Sequence, residues 1–504
     1  MLKIKSFFAF LYHWHQRIGL VMCIAIISWA LSGLAHPIIT RITPQPAAFT
    51  APNTAIELDH VQNISDLIAQ KNINELQHVR LFQWKDKPVY RIESEQGTHY
   101  FTADDLQEII EGDRQYAEYL ARYFVADNNN PIINLKTIYK YTEDYLYINR
   151  YLPVVRVEFG RNDNMRAYID TRQGRLATLI DNKKAITATA FNALHTWSWF
   201  TSDTWRIRIM LIFLTLGLMT AALGLTLYLK SWRLGTLRSE HSNTRRYHRT
   251  IAAIISVPTI LFCISGTLHL LLSSKPEKTV TEFSLHIPSH NISLDHLEKL
   301  QGQSGGMAIE SIQLTQIEQQ YYWQIKPLIT KNSGALSMAE HDHSHKHSEH
   351  KNPETNKPKI TEVFYQNAVT GELLENGLEK HTRFLATQFS QQDSSNIHRI
   401  ETVEKFAGEY GFVNKRLPVQ AVSYNTAGNP TFYIETISNT LAARVDNPQR
   451  IEGYTFAFLH KWHFLDFLGK NTRDFISALA ALMIVIAITL GIYRYWINRN
   501  RRNR

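Results

Sequence analysis

Cysteine is almost missing from this chain. Its two copies, Cys23 and Cys263, both sit inside uncharged apolar stretches. The polar remainder therefore has no disulfide, no thiolate metal site and no CxxCH attachment for a c-type haem. No GxGxxG string adjoins a strand–helix pattern, and the short basic segments that read below as cytoplasmic are too small for a nicotinamide or flavin domain. Charge is missing in four places. Residues 18–35, 209–229, 251–274 and 475–493 contain no Asp, Glu, Lys or Arg, although 20% of the chain is charged and its mean hydropathy is -0.24. A hydrocarbon layer of ~30 Å asks for roughly 18–25 such residues in a helix. The expected architecture is a membrane protein with four transmembrane α-helices, at 18–36, 207–229, 250–274 and 475–493.

Orientation follows from where the positive charge lies. The N-terminus 1–17 has Lys3, Lys5 and Arg17. The loop 230–249 has Lys230, Arg233, Arg238, Arg245, Arg246 and Arg249 against Glu240 alone. The tail 494–504 has Arg494, Arg499, Arg501, Arg502 and Arg504. Short basic flanks stay cytoplasmic, which sends the connections 37–201 and 275–472 to the periplasm of a bacterial inner membrane. The net charge of +9 belongs to this topology and is no sign of nucleic-acid binding. A basic start with small residues near Ala35 also fits a cleaved leader. The third block repeats that pattern in mid-chain, where no leader can be, so the first block reads as a span.

The chain repeats itself. His15 … Ser32-Gly33-Leu34-Ala35-His36 matches His248 … Ser265-Gly266-Thr267-Leu268-His269 at an offset of 233. A second match runs at an offset of 265. It pairs Leu152-Pro153-Val154 with Leu417-Pro418-Val419, Tyr168-Ile169 with Tyr433-Ile434, Asp181-Asn182 with Asp446-Asn447, Leu194-His195 with Leu459-His460, Trp197 with Trp462 and Arg208 with Arg473. The fold expected is two tandem repeats, each of two helices around a large α+β domain, related by a pseudo-twofold axis along the membrane normal. Alternation predicts antiparallel strands over 154–159, 165–170, 420–424 and 430–435, with turns at Gln173-Gly174 and Thr370-Gly371-Glu372. Residues 103–122 read as a helix.

Helices entering through Tyr-His-Trp-His or Arg-Tyr-His-Arg, modules ending in Tyr-Ile-Asp-x-x-x-Gly, and Leu-His-x-Trp ahead of the second and fourth spans resemble the PepSY-associated transmembrane family. The order of these parts carries the resemblance over essentially the whole chain. One departure is Ser438-Asn439, which stands where Gln173-Gly174 would be. The resemblance implies PepSY-like periplasmic domains, two b-type haems and the reduction of ferric siderophores.

Histidine near a bilayer is costly unless paired, ligated or solvated, and neutral imidazole is a common axial ligand of haem iron. Twenty-one residues span about 31 Å of helix and fall within about 60° of six whole turns. His15 and His36 therefore share a face at opposite membrane boundaries, as do His248 and His269. With twofold symmetry, His15 and His248 suit one haem and His36 and His269 another. His195 and His460, each just before a span, are alternative ligands for the second haem or ligands of a further one. The repeat symmetry leaves the pairing open, and interfacial histidines capping helix ends remain the plain alternative. His13 and His463 lack repeat partners, since Arg246 and Ser198 occupy those places, and read as auxiliary. Arg206, Arg208 and Arg473 border the same face and suit haem propionates or simple snorkelling. Ser32-Gly33 and Ser265-Gly266 suit close approach of a macrocycle or a neighbouring helix.

A tract with His341, His343, His345, His347 and His350 has no repeat counterpart. It suits loose binding of Zn, Cu or Ni, or a solvated linker. Three functions are open at this point: haem-mediated electron transfer from a separate cytoplasmic reductase or quinol, a non-redox metal-binding or regulatory role, and a siderophore or metal permease. Four spans without a carboxylate count against an ion-coupled permease.

Overall fold

The computed structural model describes residues 2–73, 75–234, 242–272, 282–288, 292, 294, 308–328 and 363–502. The helices among them are α1 (Leu2–Ile42), α2 (Ile64–Lys71), α3 (Gly112–Val125), α4 (Asn182–Phe191), α5 (Asp203–Arg233), α6 (Asn243–Leu272), α7 (Gly377–Ser390), α8 (Asn447–Thr455) and α9 (Lys470–Arg502). α1, α5, α6 and α9 are long and apolar enough to cross a membrane. α1, α5 and α9 outrun their charge-free blocks at both ends, and α6 starts eight residues ahead of its own. α1 has 41 residues, because nothing before Gly19 breaks a helix and Pro37 is carried within it. α1 packs on α5 and α9, and α6 packs on the same two, so α1 and α6 stand diagonally across the bundle.

The two long connections meet in one shared sheet. Strands β2 (His78–Trp84), β3 (Lys87–Ser94) and β4 (Gly97–Thr102) come from the first connection. β10 (Ile309–Ile317), β11 (Gln320–Pro327) and β12 (Phe364–Asn367) come from the second. Their order is β12-β11-β10-β2-β3-β4, every pair antiparallel, with Arg80 opposite Gln313 at the join. β1 (Glu75–Leu76) and β9 (Ile287–Pro288) form a second small bridge between the halves. One face of the large sheet buries Val79, Leu81, Tyr90, Ile92, Ile312, Leu314 and Trp323 beneath Ile64, Leu67 and Ile68 of α2. α3 and α7 cover the other face.

Beyond α3 and α7 lie two four-stranded antiparallel sheets. One has the order β5 (Ile132–Ile138), β6 (Val154–Phe159), β7 (Arg166–Asp170), β8 (Arg175–Ile180). The other has β13 (Ile397–Val403), β14 (Val419–Tyr424), β15 (Thr431–Glu435), β16 (Thr440–Val445). The two correspond strand for strand at the offset of 265, down to matching register shifts at Tyr168/Ile169 and Tyr433/Ile434. β3 and β11 correspond at 233 instead. The offset changes because a tight turn joins β3 to β4, whereas the connection from β11 to β12 includes the histidine tract. That tract lies outside the described residues.

Departures from expectation have local causes. The helix expected over 103–122 begins only at Gly112, because Gln107 N donates to Asp105 Oδ1 (3.2 Å) and Leu106 takes a φ of 55°, folding the stretch into a turn. Gly112 and Gly377 open α3 and α7 where a Cβ would come within 2.5 Å of Tyr100 and Tyr365 respectively. Asn439 keeps the hairpin of Gly174: their φ angles are 50° and 66°, and asparagine is among the few residues that enter this region readily.

A buried ion cluster fastens the halves together. Glu435, 1% exposed, accepts from Arg175 Nη1 (2.6 Å) of the first half and from Arg416 Nη1 (2.8 Å) of the second. The Tyr151 ring lies between the two guanidiniums, at 4.7 and 4.6 Å. Burial pushes the Glu435 carboxyl up, but Arg175 and Arg416 outweigh it and hold it down at about 2. Lys415 crosses the same junction, donating to Asn149 Oδ1 (3.1 Å) and to the Ala177 carbonyl (2.5 Å). Burial, with Lys184 and Arg150 nearby, brings its ammonium down to about 7.

Candidate functional site

His15 and His248 are held alike. His15 Nδ1 lies 3.1 Å from the Thr220 carbonyl of α5. His248 Nδ1 lies 2.9 Å from the Ala487 carbonyl of α9. A carbonyl only accepts, so each Nδ1 bears the proton, and the neutral ring then keeps its lone pair on Nε2. Helix carbonyls are normally screened by the side chain four residues on. Here those residues are Gly224 and Gly491, and a Cβ on either would stand 2.9 or 3.1 Å from the imidazole Cε1. The glycines are what let the rings reach the backbone. His15 and His248 are also within electrostatic reach of each other.

The other end uses a different acceptor. His195 lies in a π-helical turn, Asn192–Thr196, that follows α4. His460 lies in its counterpart, Phe456–His460, after α8. Such turns are rare, and they recur at functional sites. His195 Nδ1 is 2.9 Å from Ser32 Oγ, and His460 Nδ1 is 2.9 Å from Ser265 Oγ. Each serine hydroxyl gives its only hydrogen to a carbonyl of its own helix, Ser32 to Trp29 (2.8 Å) and Ser265 to Phe262 (3.1 Å). The serine oxygen must then accept from the imidazole, which again protonates Nδ1 and frees Nε2.

These two rings are neighbours, set edge to face. Their centroids are 6.1 Å apart and their planes are 85° from parallel. Two imidazoles bound through nitrogen to one metal from opposite sides have centroids roughly 6 Å apart, given metal–nitrogen bonds of about 2 Å. Aromatic stacks brace both turns: Trp197 on Trp29 at 5.2 Å and Trp462 on Phe262 at 5.4 Å. Trp29 Nε1 also donates to the His195 carbonyl (3.1 Å).

His36 and His269 lie close by, with other partners. His36 packs against Phe191 at 5.7 Å. His269 Nδ1 is 2.5 Å from Glu452 Oε1, and its side chain is 46% exposed. Among the described residues, no three His, Cys, Asp or Glu side chains converge as a metal-ion cluster would require. His13 is exposed. His463 and Arg473 are bound up with Asp466: His463 Nδ1 is 2.7 Å from it, and Arg473 bonds both. Arg206 pairs with Asp203 at 3.1 Å, and Arg208 sits 5.2 Å over the Trp205 ring.

The fourth span is in a different register from the one that the repeat suggests. α5 starts at Asp203 and α9 at Lys470, an offset of 267 that pairs Arg206, not Arg208, with Arg473. The extra two residues are taken up around the short helix His463–Leu468. This slip hides Gly224 and Gly491 from a search at 265, although the offset of 267 relates them. No neighbouring helix comes within 4 Å of the Gly33 Cβ position, whereas at Gly266 Leu214 stands at 3.4 Å.

No protein-family model matches the chain, and no curated protein matches it.

Proposed function

We propose that this chain is a transmembrane electron carrier that holds two b-type haems, one between His15 and His248 and one between His195 and His460. One observation carries the reading. Four histidines in two symmetry-related pairs each spend Nδ1–H on a protein acceptor, which in the neutral ring leaves Nε2 for an axial bond. Neutral bis-imidazole is a donor set suited to low-spin haem. Bound haem would supply a one-electron couple at each end of the bundle. The chain's own part is to fix the ligands, exclude water with the aromatic stacks, and set the separation. Ser32 lies seventeen residues after His15 on α1, or about 25 Å along the helix.

The charge of the short flanks supports a cytoplasmic His15/His248 end and a periplasmic His195/His460 end. The resemblance to the PepSY-associated family supports ferric siderophores as acceptor. Adding one electron to ferric iron weakens its hold on hard oxygen ligands, so the proposed product is released iron. The donor is a separate reductase or quinol.

The test is an optical spectrum of the purified full chain, oxidised and then reduced with dithionite, with haem quantified as the pyridine haemochrome. Two low-spin b-type haems per chain are expected. A colourless protein after expression with ample haem would overturn the reading and leave a metal-binding or regulatory role in its place.

A further inference from the structure

We infer that Ser32 and Ser265 are positioning residues for His195 and His460, and that the exchange of carbonyl for hydroxyl acceptors between the two ends orders their reduction potentials. The inference rests on the haem-binding reading above.

The geometry has two parts. At one end, His15 and His248 donate to helix carbonyls, Thr220 at 3.1 Å and Ala487 at 2.9 Å. At the other, His195 and His460 donate to hydroxyl oxygens, both at 2.9 Å. Both serines are 1% exposed, so water does not compete for these bonds. An imidazole whose Nδ1–H meets a strong acceptor is a more basic ligand at Nε2. A more basic axial ligand favours ferric over ferrous iron and lowers the potential. A peptide carbonyl is the stronger acceptor of the two. The serine oxygens are strengthened by donating onward to Trp29 and Phe262, but such polarisation adds only roughly 10–30% per bond. The His195/His460 end therefore has the higher potential, and electrons run downhill towards it from the His15/His248 end.

The repeat makes the arrangement hard to ascribe to chance packing. Ser32 and Ser265 occupy equivalent places, each bonds the histidine of its own repeat, and each passes its hydrogen three residues back along its helix.

The experiment is a spectroelectrochemical titration of the purified full chain and of Ser32→Ala, Ser265→Ala, Ser32→Thr and His195→Ala. Two midpoints are expected in the unaltered protein, and His195→Ala keeps the lower one. The alanine variants move the higher midpoint upward and leave the lower one in place, while Ser32→Thr, which keeps the hydroxyl, restores it. An alanine variant that sheds the haem of that end while Ser32→Thr retains it supports the same role. Unmoved midpoints in both alanine variants, a shift confined to the lower midpoint, or retention of the higher one in His195→Ala would overturn the inference. Absence of haem from the unaltered protein would instead count against the functional reading.

Discussion

His195 and His460 lie 265 positions apart in the chain, yet their rings stand 6.1 Å from one another at 85°, each anchored through Nδ1 to a serine on a different helix. His36 and His269, the more obvious pair in the sequence, point to Phe191 and Glu452 instead. Alanine at His195 or His460 should remove one of two haems and leave the other. Alanine at His15 or His248 should remove the other. Alanine at His36 or His269 should leave both. Haem per chain by pyridine haemochrome decides the matter, and loss of haem in His36→Ala would reverse the pairing.

Gly224 and Gly491 should tolerate no side chain. A Cβ would meet the His15 or His248 ring at 2.9 or 3.1 Å, turning the imidazole off its carbonyl. Gly224→Val and Gly491→Val are expected to lose the haem of that end or convert it to high spin, seen in the Soret and visible bands. Gly33→Ala, with open space around its Cβ, should change stability by about 1 kcal/mol or less, in the stabilising direction for a helix interior.

Lys415 gives the protein an alkaline signature. Its ammonium titrates near 7 in the folded protein and near about 10.4 when unfolded. Between these values the unfolded chain binds more protons, so stability rises with pH, by at most about 1.4 kcal/mol per pH unit. Lys415→Met should flatten the melting temperature against pH between 7 and 10. An unchanged slope would show that Lys415 is not the group responsible.

Glu435 gives a slope of the same sign in an acid window. Its carboxyl is held at about 2, below its value in the unfolded chain. The stability it contributes is complete above pH 4.5 and is lost as pH falls towards 2. Glu435→Gln leaves Arg175 and Arg416 buried without their shared carboxylate, at a cost of about 3–5 kcal/mol. Chemical denaturation at neutral pH measures this loss, and the variant should also show a weaker dependence between pH 4.5 and 2.

Much of this was legible in the sequence. Charge-free blocks marked the spans, alternation marked strands such as Val154–Phe159, and the offsets of 233 and 265 exposed the duplication. What escaped were relationships that depend on backbone rather than side chain. The acceptors for His15 and His248 are main-chain carbonyls, cleared by glycines that a two-residue slip displaces from the repeat. Asn439 hides the turn that Gly174 announces, because two different residues satisfy one backbone angle. The role of Ser32 needed the π-helical turn that carries His195, which no periodicity signals. The joining of both connections through β2 and β10 was equally silent, since an edge strand and a central strand alternate alike.

That joining has a consequence for how the chain is made. β2 leaves the ribosome more than two hundred residues before β10, its partner at Leu81–Ile312. Through that interval the first connection waits with a bare strand edge, and two further spans are threaded in the meantime. The late arrival of a distant strand is a slow, entropically costly closure, and an open edge invites wrong partners. Biogenesis of this protein is therefore most exposed to mispairing in the window between its halves, where a holding chaperone would have its greatest effect on yield.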